Sequence, residues 1–105
     1  MMHWKVERTN NKDLVFEGNC LSRYDNGDDI FTIYKTKEER YILEIIYKPS
    51  TASTYREGMI FVNVTDLIEE LKILSQNRFN CPFYDGFKEL LWGAGLQHLT
   101  ERKVR

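Results

Sequence analysis

Residues Tyr41-Ile42-Leu43-Glu44-Ile45-Ile46-Tyr47-Lys48 form the longest apolar run in the chain, and β-branched and aromatic side chains dominate it. Read with a period of two, one face carries Tyr41, Leu43, Ile45 and Tyr47. The other alternates Ile42 and Ile46 with Glu44 and Lys48. Such a strand buries one face completely and the other at least in part, which places it in the interior of a sheet. The rest of the chain then has to supply strands on either side and a lid.

At 105 residues the chain is expected to form one domain, residues 1–105, large enough for a core without disulfides or metals. Extended stretches read from Trp4 to Val6, from Leu14 to Tyr24 with a bend at Gly18-Asn19, from Ile30 to Lys35, and from Tyr55 to Val62. Asn26-Gly27 is the two-residue hairpin signal, because both central residues of a type I′ turn need positive φ. That turn sets Asp25 opposite Asp28, Arg23 opposite Ile30 and Leu21 opposite Thr32. A two- or four-residue loop within Lys37-Glu38-Glu39-Arg40 then places Tyr34 opposite Leu43 and Thr32 opposite Ile45.

Helices follow the strands. Asn63 is a good N-cap, with Asp66 at the third helical position and Val62–Leu67 spaced as a hydrophobic staple. Val64, Leu67, Ile68, Leu71 and Leu74 fall on one stripe of a helix expected to end near Asn77. A shorter helix starts at Asp85 and stops at Gly93–Gly95. Pro49–Ser53 reads as a loop, and residues 97–105 as a basic tail, frayed at its end. The fold class is therefore α+β: an antiparallel meander of four to five strands, then two C-terminal helices packed on one face. The core should join Tyr41, Leu43, Ile45 and Tyr47 to Ile30, Thr32 and Tyr34, beneath Leu67, Ile68 and Leu71.

Chemistry is sparse. The only histidines, His3 and His98, and the only cysteines, Cys20 and Cys81, show no metal-ligand spacing and nothing that assembles a nucleophile with its base. Asp25–Asp29 resembles a calcium loop only briefly, since its glycine is in the wrong place and Thr36 stands where a bidentate Glu is needed. Gly93-Ala94-Gly95 follows a helix, where glycine ends it, and does not precede one, where it would cradle phosphate. No cofactor or metal is expected, and the chain reads as a non-enzyme.

The net charge of −1 gives no general grip on nucleic acid or acidic membrane. The N-terminus reaches charge at once and no run is long enough to cross a bilayer, so the expected setting is a reducing cytoplasm with free thiols. If the helices cover one face of the sheet, the opposite face presents Phe31, Ile33, Ile42 and Ile46 around Glu44, with Lys35 and Lys48 at its edges. A greasy patch rimmed by charge marks a contact surface. The function expected from this is a small regulatory or adaptor protein that docks a protein partner or its own copy through Phe31, Ile33, Ile42, Glu44, Ile46 and Lys48. Two alternatives stand beside it. Sheet aromatics flanked by Arg23, Lys35 and Lys48 suit stacking on single-stranded nucleic acid, and the N-terminal strands (Trp4, Val6, Leu14, Phe16) can instead curl over the patch and bury it. An enzyme with an unrecognised site is a third reading.

Overall fold

The computed structural model describes residues 1–48 and 54–96. The expected Pro49–Ser53 loop, His98 and the basic tail lie outside the described residues. Five antiparallel strands run β1 (Met2–Val6), β2 (Leu14–Asp25), β3 (Asp29–Thr36), β4 (Tyr41–Tyr47) and β5 (Tyr55–Phe61), side by side in chain order. Two helices follow, α1 (Val64–Phe79) and α2 (Asp85–Gly93), and the fold is the α+β meander the sequence predicts. The apolar run at 41–48 is β4, held between β3 and β5.

The helices lie on one face of the sheet. Leu43 and Ile45 of β4 are fully buried there with Leu67, Ile68 and Leu71 of α1 and Phe87, Leu90 and Leu91 of α2. Each such side chain contributes roughly 1.5–3 kcal/mol by leaving water. From β3, however, the residues that join them are Phe31 and Ile33, not Ile30, Thr32 and Tyr34. The cause is the β3–β4 connection. Thr36 N–H donates to Arg40 C=O (2.8 Å) and Glu39 N–H to Thr36 C=O (2.9 Å), while Glu39 takes a left-handed φ of 64°. Lys37, Glu38 and Glu39 thus make a loop of odd length, a tight turn closed by a left-handed residue. The register moves by one, to Tyr34–Ile42, Ile33–Leu43 and Phe31–Ile45. A slip of one residue turns a strand over, and β3 presents its other side to the helices.

The β2–β3 turn also differs from expectation, by one position. Asn26 N–H donates to Asp29 C=O (3.1 Å), so the central residues are Gly27 and Asp28, and only Gly27 has positive φ (94°). Asn26 Oδ1 accepts from both Asp28 N–H (2.9 Å) and Asp29 N–H (2.7 Å), which draws Asn26 out of the turn's centre and makes it the closing residue. Asp25 pairs with Ile30 and Arg23 with Thr32 in consequence, and the pairing then shifts between Cys20 and Ser22.

The N-terminal hairpin covers the second face. At Gly18 β2 passes from pairing with β1 to pairing with β3, and a Cβ there would run into the Lys35 carbonyl oxygen. The strand folds over at that point, and Val6, Trp4, Leu14 and Phe16 pack on Tyr34 and Ile42. Trp4 Nε1 donates to Gly18 C=O (3.0 Å), and its ring lies 5.0 Å from that of Tyr34. The curl carries the chain after β1 round to β5. Thr9 N–H donates to Arg56 C=O (3.0 Å) and Thr9 Oγ1 accepts from Arg56 N–H (2.7 Å).

The α1 N-cap is as predicted: Asn63 Oδ1 accepts from Asp66 N–H at 2.9 Å. Val62 stays 64% exposed, however, and staples nothing. The helix runs two residues past Asn77 and ends at Asn80 in the left-handed region. Buried Ser75 accepts from Tyr84 N–H (2.9 Å) and joins the two helices. Phe79 stacks on Tyr84, with ring centroids 3.7 Å apart.

Candidate functional site

The six residues of the expected contact patch do not share a face. Phe31 and Ile33, both fully buried, point to the helices. Ile42 (2% exposed) and Glu44 (8%) point the other way, beneath the N-terminal hairpin. Tyr34 hydroxyl donates to Glu44 Oε1 (3.0 Å). Burial first, and the Glu44 carboxylate second, hold that phenol well above the usual tyrosine range. Ile46 is half-buried, and exposed Lys48 reaches Asp25 Oδ2 at 3.4 Å. The odd-length loop divides the patch and the curled hairpin covers much of what remains. The stacking platform goes with it, since Phe31 is enclosed by Phe79 and Phe87, and Tyr24 packs against Tyr84.

Among the described residues no group of His, Cys, Asp and Glu is arranged to hold a metal ion. His3 lies on the surface beside Glu17 (3.4 Å), and Cys20 is exposed. No helix among the described residues is long and apolar enough to cross a membrane.

A cleft of about 320 Å³ opens where the curled sheet almost meets itself. Its floor is the outer side of β5 from Tyr55 to Met59. One wall is the β1–β2 loop with Arg8, Asn10 and Asn11, and the other is α1 at Glu70. Backbone hydrogen bonding alternates along an antiparallel strand. Since both backbone groups of Arg56 face outward to Thr9, those of Gly58 and Ile60 face outward as well, while Tyr55, Glu57, Met59 and Phe61 turn theirs to β4. Thr9 caps Arg56. Among the described residues, Gly58 and Ile60 have no strand beside them.

The walls lie on opposite faces of the sheet. Gly58 is opposite Glu44, on the hairpin-covered face. A Cβ on Gly58 would sit 2.9 Å from Val6 Cγ1 and 3.2 Å from Arg8 Cδ, so glycine is what lets the hairpin approach so closely. Arg8 therefore stands on the hairpin side, its Nε donating to Lys12 C=O (2.7 Å), and Glu70 on the helix side. Arg56 Nε lies 3.9 Å from Glu7, and Glu57 Oε2 accepts from Tyr47 hydroxyl (3.3 Å). Neither Arg8 nor Glu70 has an ion-pair partner among the described residues. Ile60, 52% exposed, and Val62 continue the floor as apolar surface.

Sequence reasoning missed this site because Arg8 and Glu70 meet only through the curl. The two glycines that permit it, Gly18 and Gly58, were the available sign. Comparison with family models, with curated proteins and with solved structures gives no match for this chain.

Proposed function

We propose that this protein is a binding module that recognises a protein partner by taking an extended segment of it as an added strand beside β5. The observation that carries the reading is the short open edge at Gly58 and Ile60, set between two walls. An open strand edge offers N–H and C=O groups that an extended chain satisfies, and flanking side chains select which chain. Thr9 limits the open stretch, so the guest is short. Exposed Ile60 and Val62 give it apolar surface to cover. This keeps the protein-contact function expected from the sequence and moves it from the sheet face to the sheet edge.

The test is Ile60→Pro. Proline removes the outward N–H and leaves the β4 ladder intact, which an edge strand accepts. Peptides selected from a random displayed library should shift the backbone amides of residues 58–62. They should bind Ile60→Val as they bind the native chain and lose Ile60→Pro, whose spectrum otherwise stays folded. Selected peptides that shift other residues, or that bind Ile60→Pro undiminished, would overturn the reading.

A further inference from the structure

The edge at Gly58 and Ile60 also specifies its guest, if strand addition at β5 is the correct reading. Successive side chains of an extended segment point to opposite faces of the sheet it joins. Beside β5 one face holds Arg8 and the other Glu70, both without an ion-pair partner among the described residues. We infer that the docking segment carries an acidic and a basic residue as immediate neighbours, the acid turned to Arg8 and the base to Glu70.

A symmetric pairing of β5 with the β5 of a second copy does not meet that requirement. Arg56 is already held by Thr9, so a copy's β5 has Gly58, Met59 and Ile60 to offer the open stretch. None of them is charged, and both Arg8 and Glu70 would be covered without compensation. A segment with two like charges satisfies one wall and is repelled by the other. A β5–β5 dimer is therefore disfavoured, and the mark of the partner protein's segment is a charge pair of opposite sign within a β-forming stretch.

The experiment uses four capped peptides, Thr-Val-Glu-Lys-Val-Thr and its variants with Glu-Glu, Lys-Lys or Thr-Thr at the centre, titrated into the full chain at low salt. The Glu-Lys peptide should bind about fivefold tighter than either like-charged peptide, the size expected of exposed ion pairs. The advantage should shrink as salt rises. Glu70→Lys should move the preference to the Glu-Glu peptide, and Arg8→Glu to the Lys-Lys peptide. Four equal affinities, all lost in Ile60→Pro, would overturn the charge rule and leave strand addition standing. No binding by any peptide at millimolar concentration would overturn both. A dimer in solution that Ile60→Pro converts to monomer would put a second copy on the edge and overturn the inference.

Discussion

Asp29 begins β3 with its side chain 3% exposed, and Arg78, from the last turn of α1, meets it in a two-pronged pair. Nε donates to Oδ2 at 2.9 Å and Nη2 to Oδ1 at 2.6 Å, while the guanidinium lies 4.5 Å from the centre of the Tyr47 ring. Arg78→Ala leaves a buried carboxylate without either bond. Breaking a fully buried pair costs ~3–5 kcal/mol. Arg78 is 39% exposed, so water follows it in and the expected cost falls to about 2–3 kcal/mol. For a domain of this size that lowers Tm by about 10–20 °C. Arg78→Lys keeps the charge and loses the fork and the stacking, and should fall between the two. Asp29→Asn should cost less than Arg78→Ala, because it leaves no buried charge and the half-exposed guanidinium can turn to solvent. Urea and thermal denaturation followed by circular dichroism measure all four proteins, with Asp29→Asn/Arg78→Ala closing a double-mutant cycle. If Arg78→Ala stays within about 0.5 kcal/mol of the native chain, or the cycle shows no coupling, the pair does not hold α1 to the turn and the reasoning fails.

Glu39 sits in the left-handed region, which costs a side-chain-bearing residue about 1–2 kcal/mol. Glu39→Gly should raise stability by roughly 0.5–1 kcal/mol after the added freedom of the unfolded glycine is counted. A lower urea midpoint would contradict it. Burial, and then the Glu57 carboxylate, push the Tyr47 phenol from 10.0 to about 12. The unfolded chain therefore releases this proton first. The stabilising contribution is complete below about pH 10 and is lost as pH rises toward about 12. Tyr47→Phe should flatten the fall of Tm across that window, and an unchanged fall would assign it to other groups.

Much of the architecture was readable because local chemistry and long-range packing agree there. Tyr41–Lys48 names its own buried face. Asn63 and the Leu67–Leu71 stripe specify α1, cap and packing face together. β3 is the contrary case. Ile30, Phe31, Ile33 and Tyr34 leave Thr32 as the one polar break in the strand's middle, and the structure buries all five. With both sides suited to a core, the pattern gives no parity, and the decision passes to the loop. That loop closes through Glu39, a residue with no special liking for the left-handed region, so its length left no trace in composition. The cleft was further out of reach, because Arg8 and Glu70 become neighbours of one strand edge through tertiary curl, and periodicity does not report curl.

The seam between Thr9 and Arg56 joins residues 47 apart in sequence, whereas neighbouring strands of the meander follow one another closely along the chain. Loop-closure entropy rises with separation, and contacts between distant residues are gained late in folding. The four hairpins can therefore zip while the seam is still open, with Arg56 unpaired and the β5 edge at its full length. In that interval the chain exposes its longest template for misassociation with other chains. One threonine, arriving last, ends the hazard by shortening the edge to the few groups the folded protein leaves open.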